Sequence, residues 1–374
     1  MAAEGLYIGL MSGTSMDGID AVLLELRSGE CHLRATGTRP YSEALQASLR
    51  SIARGEHDDV HALATADRRV GEAFAHAVEA LLASASIETK DVVAIGSHGQ
   101  TVRHHPGSPG NAAYTVQIGD PSTIAEITGI TTIADFRRAD IAAGGEGAPL
   151  APVFHAIRFG AVGVTRAIVN IGGISNATLL HGDAVTAGFD CGPGNTLLDA
   201  WIQRERGDAY DAHGAWSAEH TILDPLLDSL SADAFFHRSG PKSTGVEYFN
   251  LKWLDAHLHG DEDAGQVQAT LAELSARAIE DSLLKQDERP ESVYACGGGA
   301  RNIDLMRRLG HRLNGHGMDL RTTDELGLDS EWVEAAAWAW LAHARLNGIP
   351  GNAPVVTGAS GPRVLGAVYK APQR

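Results

Sequence analysis

Ile8-Gly9-Leu10-Met11-Ser12-Gly13-Thr14-Ser15-Met16-Asp17-Gly18-Ile19-Asp20 is the stretch on which the fold turns. Leu6 to Met11 read as a short buried strand, the glycine-rich turn follows, and Ile19 to Leu26 read as a second strand, so the chain opens strand, turn, strand. Glycine lets backbone N–H groups approach an anion closely, and Ser12, Thr14 and Ser15 add hydroxyl donors. Asp17 and Asp20 repel phosphate but suit Mg²⁺ held through its waters. The turn is not a P-loop, because no Gly-Lys-Ser/Thr follows. It is not a dinucleotide fingerprint either, because a strand rather than a helix comes next. Taken alone, it is equally an ordinary glycine hairpin.

The pattern restarts further on. Arg166 to Ile171 read as a strand, Gly172-Gly173-Ile174-Ser175-Asn176 as a turn, and Ala177 to Leu180 as a strand. A third glycine cluster, Cys296-Gly297-Gly298-Gly299-Ala300-Arg301-Asn302, ends the strand Val293 to Cys296 and opens a helix, where glycine would let a flat adenine lie on backbone. Between and around these, helical periodicity marks Glu43 to Arg54, Ala62 to Ser84, Asn195 to Arg206, Ala264 to Gln286, Arg301 to Leu313 and Glu331 to Asn347. Further short strands are expected at Val92 to Ile95, Tyr114 to Ile118, Ile130 to Ala134 and Leu320 to Thr323. Alternating strands and helices with a weak internal repeat indicate an α/β protein built by duplication.

Other residues carry candidate chemistry. Asp190, in Ala187-Gly-Phe-Asp-Cys-Gly-Pro-Gly-Asn195, is read just after a strand and before a rigid turn, and is a candidate base or a turn aspartate. The N–H groups of the helix from Asn195 are expected to face the same space. Glu334 sits in an alanine-rich apolar helix, as an assistant acid or as its water-facing residue. Arg137 and Arg138 precede Gly144-Gly-Glu-Gly-Ala-Pro149, and an arginine there suits a substrate carboxylate or a surface ion pair. His98, Gln100 and Asp120, read at strand ends, suit sugar hydroxyls or core and turn roles.

Bulk composition narrows the class. The 374 residues are 44% hydrophobic and 21% charged, as in an ordinary globular protein. A formal charge of −17 lacks the basic footprint of a nucleic-acid binder. Three scattered cysteines give neither a disulfide framework nor a zinc spacing, and fit a reducing cytoplasm. No signal peptide or membrane-spanning run is read. The 17 histidines show no metallohydrolase spacing.

Two strand–turn–strand loops followed by a strand–Gly-Gly-Gly–helix resemble the actin, hexokinase and Hsp70-like ATPases. The resemblance implies a duplicated actin-like (ribonuclease H-like) two-lobed fold with ATP and substrate in the cleft between the lobes. The lobes are read as 1–140 and 141–374. At finer grain the chain resembles the anhydro-N-acetylmuramic acid kinases of peptidoglycan recycling. The resemblance rests on Gly9 to Asp20, Ser97-His-Gly-Gln-Thr101, Ala134-Asp-Phe-Arg137, Ala142 to Leu150, Asn170 to Asn176 and Gly188 to Asn195. Cys191 departs from the threonine or similar small residue expected in many members.

This resemblance implies a cytoplasmic kinase that opens 1,6-anhydro-N-acetylmuramic acid with water and phosphorylates its 6-oxygen, using ATP and Mg²⁺. It implies Asp190 as catalytic base and residues 13 to 20 as the ATP loop; apart from the resemblance, Glu334 is read as an assistant that positions the water. The ATP residues would be Gly13, Thr14, Ser15, Met16, Asp17, Gly18, Ile19 and Asp20, then Gly172, Gly173, Asn176 and Gly194, and finally Gly297, Gly298, Gly299 and Asn302. His98, Gln100, Asp120 and Arg137 would hold the sugar, with Arg137 on the lactyl carboxylate, while Asp17 and Asp20 would hold the metal through water. A homodimer is implied, with no nucleic-acid or membrane partner. The rival readings are an ordinary sugar or acyl kinase acting on a free acceptor, and an actin-like filament ATPase.

Overall fold

A computed structural model describes residues 4–13, 15–27, 29–56, 59–105, 107, 112–238 and 244–372. The strands are β1 (Gly5–Ser12), β2 (Gly18–Arg27), β3 (Glu30–Pro40), β4 (Val92–His105), β5 (Tyr114–Ile118), β6 (Thr132–Ala134), β7 (Ala161–Ile171), β8 (Ile174–Gly182), β9 (Ala184–Pro193), β10 (Ser292–Cys296), β11 (Asp319–Thr322) and β12 (Ala367–Tyr369). The helices that position the site are α1 (Glu43–Arg54), α2 (Val60–Ala85), α3 (Pro121–Thr128), α4 (Thr196–Arg206), α5 (Ala264–Leu284), α6 (Ile303–Asn314) and α7 (Val333–Leu346).

Two compact units emerge, one of residues 1–158 with 332–374 and one of residues 159–331. The sequence reading divides the chain at 140/141 and leaves the C-terminal stretch in the second lobe. In the structure, α7 returns to the first unit, where it packs on β1, β2 and β4. No composition shift marks that return, because the alanines of α7 suit any sheet face.

The first unit's sheet runs β3–β2–β1–β4–β6, with β12 beyond β6 and β5 paired to β4. Its β1/β2 and β2/β3 pairs are antiparallel, while β1/β4 and β4/β6 are parallel. The second unit repeats the order as β9–β8–β7–β10–β11, with antiparallel β7/β8 and β8/β9 and parallel β7/β10 and β10/β11. The same strand order with the same senses twice is the duplicated ribonuclease H-like architecture expected from the repeat.

Side chains alternate across β1. Ile8 and Leu10 enter a core with Leu45 and Leu49 of α1 and Val70, Phe74 and Val78 of α2. Gly9 between them faces α7: a Cβ there would lie 1.9 Å from the Ala335 carbonyl oxygen. In the second unit, Val169, Ile171 and Val293 pack with Ile279 of α5 and Leu305 and Leu309 of α6. A second cluster joins Leu197 and Trp201 of α4 to Phe235, Phe249 and Leu271.

Several strands are longer than the sequence suggests: β7, read from Arg166, starts at Ala161, and β8, read as Ala177 to Leu180, spans Ile174–Gly182, so that Ile174, Ser175 and Asn176 lie in a strand and not in the turn. β4 continues through Ser97-His-Gly-Gln-Thr101, so His98 and Gln100 lie inside a strand and not at its end. Gly99, which reads as a breaker, has φ +74° within a bulge: Leu10 pairs with Ser97 but Ser12 with Gln100, three residues of β4 against two of β1. Likewise Asp190 lies within β9 and not after it. Strand β3 escapes the sequence reading because its burial pattern has no continuous apolar run.

Candidate active site

In the first unit, the predicted phosphate residues Gly13, Ser15, Met16, Asp17 and Gly18 form one turn from the end of β1 to the start of β2. Thr14 lies outside the described residues. Met16 has φ +57° and is buried, with its N–H donating to the Gly13 carbonyl (3.2 Å). Ser15 and Asp17 are exposed, whereas Ile19 is wholly buried, so backbone is all that it offers a ligand. Asp20 accepts from the Thr38 hydroxyl (2.7 Å). Burial raises its carboxyl above the usual 3.8, Thr38 opposes this, and the like charge of Asp17 adds to it. Two carboxylates that repel each other, side by side at this turn, are a donor pair suited to a hydrated divalent cation.

The turn is fastened from several sides. The Gln46 amide donates to the Met16 carbonyl (3.1 Å), Arg50 Nη2 to that of Ser15 (3.5 Å), and the Tyr41 N–H to that of Asp17 (3.0 Å). Gln100 is fully buried, and its Nε2 donates to the carbonyls of Gly13 (3.1 Å) and Thr101 (3.2 Å). The Ser12 hydroxyl lies 2.7 Å from both Gln100 Oε1 and the Gly18 carbonyl.

His98 and Arg137 meet directly. Arg137 donates from Nη2 (2.8 Å) and Nε (3.3 Å) to His98 Nε2, and from Nη1 to the Gly147 carbonyl (3.0 Å). The His98 ring lies on Trp338 at 4.4 Å between centroids, and the Arg137 guanidinium is 5.8 Å from the same indole. Burial, then the Arg137 charge, holds His98 well below the ordinary 6.5, so the imidazole is neutral. Burial brings Arg137 down to about 10, with Glu334 and Asp140 opposing the fall, so it stays charged at neutral pH. Glu334, half-buried in the first turn of α7, is therefore an electrostatic neighbour of Arg137 and not simply a water-facing acid. Trp338 follows it by one helical turn and shares its face, a spacing the sequence already contained.

Asp140, absent from the sequence-based candidates, is completely buried. It accepts from the Gly147 N–H (2.8 Å), Asn352 Nδ2 (2.6 Å) and the Thr357 hydroxyl (2.7 Å). It thereby ties the glycine loop that receives Arg137 to the C-terminal stretch. Asp120 caps α3, accepting from the N–H groups of Ser122 and Thr123 and from the Thr123 hydroxyl. The structure thus gives Asp120 the capping role.

In the second unit the glycine clusters converge. The N–H groups of Gly194, Asn195 and Thr196 donate to the carbonyls of Gly172 and Gly173 (2.8–3.1 Å). The start of α4 is therefore locked onto the turn: of the N–H groups expected to face the same space as Asp190, those of Asn195 and Thr196 are taken by the turn's carbonyls. Gly297 (φ +81°) and Gly299 press on the end of β7: a Cβ on either would come 2.2 Å from Asn170 Oδ1 or Ile171 Cγ2 respectively. Gly298 is exposed, with 3.9 Å from an added Cβ to Asn195 Nδ2. Asn302 caps α6 through the Leu305 N–H (3.0 Å).

Asp190 is half-buried and lies opposite Asn176 across β8 and β9. Cys191 is the extra residue of a bulge there, since Ser175 pairs with Gly192 and Asn176 with Asp190. Its side chain is wholly buried in the core, so the departure at Cys191 leaves the neighbouring acid in place. The Thr244 N–H donates to Asp190 Oδ2 (2.9 Å), a contact no sequence pattern announced. Among the described residues, no group of three or more His, Cys, Asp or Glu forms a metal cluster, and no helix is long and apolar enough to cross a membrane.

A family model described as anhydro-N-acetylmuramic acid kinase matches residues 5–371. A protein of that name from Pseudomonas putida is 50% identical over 368 residues, covering 98% of this chain and 99% of that protein. One from Shewanella loihica is 47% identical over 370 residues (97% and 98%), and one from Nitrosospira multiformis 46% over 365 residues (98% and 99%). Among solved structures, an activator of 2-hydroxyisocaproyl-CoA dehydratase from Clostridium difficile with bound ADPNP aligns at TM-score 0.48. It is 14% identical and covers 92% of this chain and 96% of that one. A ROK family glucokinase from Streptomyces griseus in complex with glucose and AMPPNP aligns at TM-score 0.42 and 16% identity, covering 90% and 99%.

Proposed function

The chain belongs to the anhydro-N-acetylmuramic acid kinase family, and on that footing we propose that it transfers the γ-phosphoryl of ATP to the 6-oxygen of 1,6-anhydro-N-acetylmuramic acid while water opens the anhydro ring. The product is N-acetylmuramic acid 6-phosphate, a step of cytoplasmic peptidoglycan recycling. The observation that carries this reading is the family match over residues 5–371, together with curated relatives up to 50% identical along almost the whole chain.

In this reading Asp190, oriented by the Thr244 N–H, takes a proton from water as the water oxygen attacks the anomeric carbon. The bond from that carbon to the 6-oxygen breaks, and its electron pair stays on oxygen. The 6-oxygen attacks the γ-phosphorus as the bond to ADP breaks. Hydrolysis of a glycoside ordinarily requires an acid to protonate the leaving oxygen. Here phosphorus takes the place of that proton, so a single base suffices.

In the first unit the turn at Gly13 to Gly18 holds the phosphates of the nucleotide. Asp17 and Asp20 would hold Mg²⁺ through water, and the ion would supply charge neutralisation on the phosphates. Arg137 has five N–H donors, and three serve His98 and Gly147. Among the described residues that leaves one on each Nη, a pair matched to the lactyl carboxylate. Glu334, beside Arg137, steadies this end of the sugar.

Mass spectrometry of the anhydrosugar incubated with ATP tests the reading. The product should be heavier by a phosphoryl group plus water. A gain of phosphoryl alone would instead identify an ordinary kinase acting on a free hydroxyl. In the same assay Asp190→Asn should retain both ligands yet turn over about 10²–10⁴-fold more slowly.

A further inference from the structure

We propose that Gln100 and Ser12 form a clasp across the neck of the phosphate turn, and that Gln100 serves nucleotide binding and not the sugar. The proposal rests on the reading of Gly13 to Gly18 as the phosphate turn. Gly13 is its entry and Gly18 its exit. Gln100 Nε2 donates to the Gly13 carbonyl (3.1 Å) and Ser12 Oγ reaches the Gly18 carbonyl (2.7 Å). The two side chains meet each other at 2.7 Å, Oγ to Oε1, so the single Ser12 hydroxyl proton is shared between Gln100 Oε1 and the Gly18 carbonyl. The orientation of the amide follows from its partners. Gly13 and Thr101 both present carbonyl oxygens, so the nitrogen must face them and the oxygen must face Ser12. With Gln100 fully buried and its amide engaged in this way, it is built into the turn's foundation.

The clasp completes a set. The carbonyls of Ser15, Met16 and Asp17 are held by Arg50, Gln46 and the Tyr41 N–H. In a trans peptide the N–H points opposite to the preceding carbonyl. Pinning the Met16 and Asp17 carbonyls into the protein therefore turns the N–H groups of Asp17 and Gly18 the other way. With the carbonyls of its described residues held in this way, the turn presents the Asp17 and Gly18 N–H groups on one side, which is the requirement for an anion cradle. The bulge at Gly99 brings Gln100 level with Ser12 across β1 and β4, in place of the residue a regular ladder would supply.

Calorimetric titration of the whole protein separates the two roles. Gln100→Leu and Ser12→Ala should each weaken AMPPNP with Mg²⁺ about tenfold and leave the anhydrosugar affinity within twofold. Steady-state rates should show a raised KM for ATP with kcat little changed. The double variant should lose little more than either single, because the two groups act as one unit. Loss of sugar affinity with intact nucleotide binding would make Gln100 a sugar ligand and overturn the proposal. Equal loss of both, or of neither, in a folded variant would reduce the pair to core filling and overturn it as well. If Gln100→Leu does not fold, Ser12→Ala, which removes a single oxygen, carries the test. Gly13→Val isolates the underlying reading, since an added Cβ there meets nothing closer than Ser15 Oγ at 3.9 Å. Normal AMPPNP affinity in that variant would mean that the turn does not hold phosphate, whatever Gln100 does.

Discussion

His98 Nε2 accepts from Arg137, so in the neutral ring the proton resides on Nδ1. Protonating Nε2 would break that bond and place a second cation against the guanidinium. His155, 1% exposed, is likewise kept neutral by burial, down to about 3. Both groups bind a proton near 6.5 in the unfolded chain and only at lower pH in the fold. The unfolded state then binds more protons, and stability falls as pH drops below 6.5, by up to about 1.4 kcal/mol per pH unit for each group. For His155 the window closes near 3. Urea unfolding at pH 7 and pH 5 should show this loss, and His155→Phe should make the dependence shallower. An unchanged slope in that variant would remove His155 from the account. At this scale the sequence singled out His98 and Arg137 but not their contact: that the two meet is a consequence of β4 lying beside the loop after β6, which no local pattern encodes.

Helix α7 brings Glu334 beside Arg137 and Trp338 onto His98 by lying on bare backbone. Added methyl carbons at Gly9 of β1 and Gly96 of β4 would each come 1.9 Å from a carbonyl oxygen of α7, those of Ala335 and Trp338. A backbone atom cannot rotate away as a side chain does. Gly9→Ala or Gly96→Ala should therefore destabilise the protein by about 3 kcal/mol or more and lower activity by displacing Glu334. Gly37→Ala, on β3 with nothing within 4 Å, is the neutral control. Equal denaturation midpoints for all three would contradict this packing. One element was legible to the residue: α1 runs Glu43–Arg54 as read, between the Ser42 cap and Gly55 at φ +75°, whereas α2, read as Ala62 to Ser84, runs Val60–Ala85. The extent of β4 was not, because its bulge glycine has the same letter as a turn glycine. Gly9 itself was read for its place beside the phosphate turn, while its close approach is to α7.

The whole molecule repeats one sheet topology, and the two glycine turns follow the first strand of each repeat, β1 and β7. That duplication was legible from Ile8 to Ser15 and Val169 to Asn176, because a strand, a small-residue turn and a second strand leave a mark in composition. The return of 332–374 to the first unit was not, because chain crossings between units leave no local trace. On this scaffold the claim that matters most is chemical: a base on β9 delivers water to the anomeric carbon, and the 6-oxygen it releases is the phosphoryl acceptor. Running the reaction in ¹⁸O-labelled water and locating the label in the product by tandem mass spectrometry tests it most directly. The account predicts one ¹⁸O at the anomeric hydroxyl and none in the phosphate. Label in the phosphate, with an unlabelled anomeric oxygen, would contradict it.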